Sequence, residues 1–217
     1  MGREVPRSGH RLLGTVLCDV AGTRHYALEG SIFAAGSVMQ WLRDSLGLIA
    51  SAGETEDLAR SVPDSGGVVI VPALSGLGAP HWNPAARGVI TGMSFATTRA
   101  HIARAALEAM AMQTADLAHA FAADGAAWTE LRIDGGMSAN DWMAQDLADV
   151  LGVPVERPDF VETTALGAAM LAGVGAGLFA SLDQAAAAMR GGVRRFTPAP
   201  GDLAARRAAW DRALAAV

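Results

Sequence analysis

No lysine occurs among the 217 residues; all 17 basic side chains are arginine. This excludes a P-loop lysine on nucleotide phosphates and a lysine Schiff base. One cysteine, Cys18, cannot form a disulfide within the chain. It lies in an apolar run and reads as a small buried hydrophobe, which suits a reducing compartment. Aromatic residues are only 6%, and the apolar stretches are short and broken by glycine or charge, so none spans a bilayer. The opening MGREVPRSGHRL has no apolar segment of the secretory kind. Net charge is −5 with no basic block, so nucleic acid finds no electrostatic footprint. These absences predict a cytoplasmic protein that engages neither membrane nor nucleic acid.

What is present is mostly small and aliphatic. Hydrophobic residues make up 51% and charged ones 18%, enough for a sizeable core in one large domain or two small ones. Residues 1–11 are polar and rich in Gly and Pro and read as a loose arm. Residues 12–30 read as a strand hairpin turning at Ala21-Gly22-Thr23. Ser31 is placed to cap an amphipathic helix with Ile32, Ala35, Met39, Leu42 and Leu46 on one face. VVIVPAL reads as a strand buried on both faces, and a Gly- and Pro-rich loop then leads to a strand over Gly88–Gly92. The longest helix is expected over 99–122, with Leu107, Met110, Thr114, Leu117 and Phe121 inward. A strand at Leu131–Ile133, a helix at Asp141–Leu151, a short strand VPVERP and a small-residue helix at Thr163–Ala176 follow. Helices near 182–189 and 203–217 end the chain. Strands alternating with helices predict an α/β layered domain with a mixed sheet.

Two glycine corners stand out. Gly135 and Gly136 separate a strand from a helix, where bare main chain can approach a ligand or simply turn a corner. Asn140, just before that helix, could cap it or reach a base or ribose. Gly36 falls inside the first expected helix, where glycine costs about 1 kcal/mol relative to Ala. Either another element crosses closely there or a ligand lies against that face. Gln40 lies one turn further on the same face. Asp134 and Asp141 flank the second corner and suit a cap or dipole role.

Other chemistries fail on spacing. GLGAPH has His81 where a third glycine should stand, and prolines replace the following helix, so the dinucleotide fingerprint is absent. The five histidines form no i,i+4 pair and have no cysteine cluster beside them. His101 and His119 read as surface or capping residues. No G-x-S-x-G elbow is present.

Four stretches carry a family resemblance: YALEGSIFAAGSVMQWLRD, GLGAPHWNPAARGVITG, IDGGMSANDWMAQ and LGVPVERPDFVETTALGAAMLAG. Over about Leu12 to Val217 the chain resembles the C-terminal domain of the FGGY carbohydrate kinases. Gly88 to Glu108 looks like that family's second signature. The first and last stretches favour its glycerol-phosphorylating members over those acting on pentoses or gluconate. The resemblance implies an actin-like ATPase, ribonuclease H-like domain with a mixed sheet flanked by helices. It implies ATP-dependent phosphorylation of glycerol to glycerol 3-phosphate, or of another sugar or polyol, with ATP/ADP and Mg2+ as cofactors. Gly36 and Gln40 then fall where the phosphates and ribose are approached, and Gly136 and Asn140 where adenosine is held.

The departures from the family matter as much. Its first domain, with most polyol contacts, is not in this sequence. Neither is the GDQ-like stretch with the catalytic Asp, nor the Gly-Thr-Gly phosphate turn. Residues 12–217 therefore read as a partial nucleotide-binding domain that lacks its first strands. No catalytic base and no metal ligand is assigned within the chain, and it is expected to be inactive alone. A non-catalytic nucleotide- or partner-binding remnant is the competing reading. The strand from Leu12 to Cys18 is expected to be an open edge, which self-association or a complementing chain would cover.

Overall fold

A computed structural model describes residues 2–18 and 22–217. Strands β1 (Leu13–Cys18) and β2 (Arg24–Glu29) form the expected antiparallel hairpin, with Leu13 opposite Glu29. Its expected turn lies partly outside the described residues, as does the side chain of Cys18. β1 pairs with β2 alone among the described strands, leaving the open edge expected there. The segment before β1 is fastened rather than loose. The Asp124 carboxylate accepts bonds from the Ser8 hydroxyl and the Gly9 N–H, at 2.5 and 2.9 Å, and His10 Nδ1 lies 2.7 Å from it.

Helix α1 spans Gly36–Asp44, starting four residues later than a cap at Ser31 predicts. The reason is a close crossing. The Ser31 carbonyl accepts the Ala79 N–H at 2.8 Å, and a side chain at Gly78 would come within 2.0 Å of that oxygen. Residues 31–35 therefore bend past the 78–79 loop before the helix can begin. Met39 and Leu42 are buried as expected and Val38 joins them, whereas Ala35 and Leu46, both expected inward, lie outside the helix and are exposed. A short helix α2 (Glu54–Arg60) leads to β3 (Val69–Val71), which pairs antiparallel with β4 (Val89–Thr91).

Helix α3 (Arg99–Ala123) is the spine. His101 Nδ1 accepts the Thr98 N–H at 3.1 Å and closes its first turn, the capping one of the two roles open to that histidine. Leu107, Met110 and Leu117 are buried, but so are alanines around the whole circumference, because α1, α2, α4 and β3 all pack on it. After β5 (Leu131–Arg132) a 3-10 turn (Gly136–Ala139) enters α4 (Asp141–Leu151), which Gly152 ends in the left-handed conformation at φ 66°. β6 (Val155–Pro158) runs parallel to β5 and antiparallel to β7 (Val193–Phe196), so this sheet is mixed as expected. Helix α5 (Thr163–Gly175) packs chiefly on α6 (Leu182–Met189), and α7 (Ala204–Leu214) closes over β3. The sheet elements are three small sheets, β1-β2, β3-β4 and β5-β6-β7, among the described residues.

The last helix is held by buried ionic contacts. Asp116, on α3, accepts bonds from Arg207 at 2.6 Å and from the indole N–H of the buried Trp210 at 3.0 Å, with His81 Nε2 3.1 Å away. Burial pushes the Asp116 carboxyl up, but these partners outweigh it and hold it below the usual carboxylate range. Arg206 grips Asp146 with both terminal nitrogens, at 2.6 and 2.7 Å.

Two predictions follow from these anchors. Asp116→Asn weakens the grip on Arg207 and Trp210 and should lower stability by about 1–3 kcal/mol in urea unfolding. An unchanged midpoint would mean that Asp116 adds nothing to the hold of apolar contact and the Arg206–Asp146 pair on α7. The Ser8 hydroxyl and the His10 ring, with help from the Gly9 N–H, hold the Asp124 carboxyl down to about 2. Its fastening of the arm is therefore complete above the ordinary carboxylate value of about 4 and is lost as pH falls towards 2. The amide resonances of Gly9 and Leu12 should report that release over this window, and release above pH 5 would contradict it.

Candidate functional site

The two glycine corners meet in space. Gly36 is the first residue of α1, not an interior one, so the helix-interior penalty does not arise. A methyl group added to Gly36 would meet Cγ of Met137, the residue after Gly136, at 3.1 Å. Ala35 stands at the cap position with no side chain able to cap, so α1 opens with main-chain N–H groups not covered by a side chain. Gln113, on α3, donates to the Ala34 carbonyl at 3.2 Å and ties this end of α1 to the spine. Gln40, one turn on, is exposed and makes no side-chain hydrogen bond among the described residues.

At the other corner Gly135 has φ 79°, a conformation glycine adopts without strain, and its N–H is bound by the Val161 carbonyl at 2.7 Å. Gly136 is exposed, and nothing lies within 4 Å of where its side chain would be. The turn that follows is braced from inside. The Ser138 hydroxyl donates to the Gly135 carbonyl at 2.7 Å, and Arg157 donates to the Ser138 carbonyl at 2.7 Å. Arg157 and Arg194 both pair with Asp141, at 2.9 and 2.6 Å, so that acid serves the turn and the start of α4. Asp134 accepts the Thr163 hydroxyl.

Asn140 is occupied by the fold. Its Oδ1 accepts the Met143 N–H at 2.9 Å, which caps α4, and its Nδ2 donates to Thr55 on α2 at 3.2 Å. The side chain is buried, so of the two uses the sequence left open the structure displays the cap. Thr55, itself fully buried, donates to the Ala52 carbonyl at 2.6 Å. Met137, Thr55 and Arg157 were not foreseen as neighbours of this site. Thr55 lies in another helix far off in sequence, and no local pattern marks it. Among the described residues no group of three or more His, Cys, Asp or Glu side chains is arranged to hold a metal.

The model for the C-terminal domain of the FGGY family of carbohydrate kinases matches residues 2–176. The chain belongs to the FGGY family of carbohydrate kinases. Relatives of this FGGY chain include the glycerol kinase of Rhodospirillum centenum, 57% identical over 192 residues that cover 88% of this chain and 38% of the relative. The glycerol kinase of Methylibium petroleiphilum is 52% identical over 98% of this chain and 44% of its own length. The crystal structure of Plasmodium falciparum glycerol kinase with ADP matches 99% of this chain and 44% of that one, at TM-score 0.84 and 34% identity. The xylulose kinase of Rhodospirillum rubrum is more distant, at TM-score 0.70 and 29% identity over 95% of this chain and 41% of its own. The fold is thus the actin-like α/β fold of the FGGY kinases, and the chain spans less than half the length of these relatives.

Because Gly136 has free space around it, Gly136→Leu should leave the unfolding midpoint nearly unchanged while weakening ADP by about tenfold or more. Equal ADP affinity in calorimetric titration would remove Gly136 from the site.

Proposed function

We propose that residues 12–217 are the nucleotide-binding part of an ATP-dependent kinase that converts glycerol to glycerol 3-phosphate. The observation that carries this reading is the meeting of the Gly36 and Gly136 corners. An uncapped helix start with bare main chain suits phosphate oxygens, and an open glycine corner suits a nucleoside. Gln40 lies within reach of ribose on the same helix face, and Asn140 borders the adenosine corner. The glycerol kinase relatives favour glycerol over another polyol as the acceptor, and the ADP-bound Plasmodium enzyme supports ATP/ADP as the nucleotide.

The transferred group must be positioned, its charge neutralised by Mg2+, and the acceptor hydroxyl oriented. The described residues do not assemble a donor set for that ion, so no step is assigned to one here. The base and the polyol contacts are expected from polypeptide outside this chain. The cell compartment proposed is the cytoplasm. No described helix is long and apolar enough to cross a membrane.

Uncovered surfaces support a complementing polypeptide or a second copy. Of α5 only Gly173 is buried, and Leu171 and Leu178 are 54% and 76% exposed. β5 lies at the edge of its sheet, with the Leu131 and Ile133 N–H groups bound on the β6 side. A groove of about 180 Å³ lined by Ala115, Ala118, Ala122 and Trp128 opens beside α3. Unpaired strand edges beside apolar faces need cover.

The test is reconstitution. The chain should bind ADP weakly by itself and show no glycerol phosphorylation in a coupled assay. Co-expression with the part of the Rhodospirillum centenum enzyme that it does not match should restore turnover. Turnover by the lone chain would contradict a base lying elsewhere. ADP binding with no turnover in the reconstituted complex would favour the non-catalytic reading.

A further inference from the structure

We infer that Met137, a residue outside the four that the sequence singles out, is the side chain that meets the nucleobase. The inference rests on the nucleotide reading above and names which group recognises the base. At the second corner the polar and acidic side chains are already engaged. Gly135 and Gly136 carry no side chain. Ser138 is buried and bonded to the Gly135 carbonyl. The Asn140 carbonyl oxygen and amide nitrogen are bonded to Met143 and Thr55. Asp134 and Asp141 are bound to Thr163 and to the two arginines.

Met137 alone reaches across, with its Cγ against the bare face of Gly36. It is partly buried and packs on the main core, so its stem is anchored. The turn beneath it is fixed by the Asn140 N–H to the Met137 carbonyl at 3.2 Å and by Arg157 on Ser138. A flexible, polarisable thioether on a rigid turn is suited to a flat aromatic face and can shift to admit one. Met137 thus spans the gap between the phosphate corner and the nucleoside corner. The base is then held here by dispersion and shape, while the Asn140 amide keeps α2 and α4 in register.

The experiment uses the 217-residue chain with its nine methionine methyl groups 13C-labelled. The spectrum of Met137→Leu assigns the Met137 signal. ADP should move that signal upfield by ring current, and inorganic pyrophosphate, which has no base, should not. By calorimetry Met137→Ala should bind ADP about tenfold more weakly, and Met137→Leu should recover most of the loss. ADP binding with the Met137 methyl unmoved and the Met137→Ala affinity unchanged would overturn the assignment and leave the nucleotide site standing. No ADP binding by the parent chain would overturn both.

Discussion

The rest of the molecule depends on one helix being thin. α3 is buried for most of its length, and its buried side chains are chiefly alanines. A helix with so little side-chain bulk lets its neighbours approach on several sides at once, since packing distance follows the residues at the contact. α1, α2, α4 and β3 all use that closeness. The start of α1 is tied to it through Gln113, and α2 through Arg104, which donates to the Ala59 and Val62 carbonyls at 3.1 and 2.6 Å. Bulky residues on α3 would separate α1 from α4, and Gly36 would no longer lie beside Met137.

That proximity turns two weak local features into one candidate site. A glycine at a strand–helix corner is commonplace, and so is an uncapped helix start. Side by side, they present main-chain donors and an open surface with little side-chain obstruction. The charged residues nearby brace the turn. Asp141 takes two arginines and Arg157 holds the Ser138 carbonyl, which fixes the main chain at the position where it is exposed. A site built from backbone needs this support, because it cannot adjust by changing rotamers.

Much of the fold could be read from the residues, and the exceptions have physical causes. The helices at 141–151 and 182–189 have the expected bounds, because Asn140 and Ser181 cap them and apolar periodicity runs through them. α1 starts late because of a tertiary crossing at Gly78, which no local pattern reveals. β7 went unnoticed because VRRF is an edge strand with only Phe196 buried, and its arginines give no strand signal. The arm is held through Asp124, which is distant in sequence. At the site, Gly36 and Gly136 were legible as places where main chain is bare. The position of Met137 opposite Gly36 was not, since only the folded chain brings the two together.

In the proposed function the Gly36 and Gly136 corners hold the two ends of one nucleotide. The most direct test is a crystal structure of the chain with ADP. The diphosphate should lie at the start of α1 and the adenosine against Gly136, with Met137 at its face. ADP bound elsewhere on the chain, with both corners empty, would contradict it.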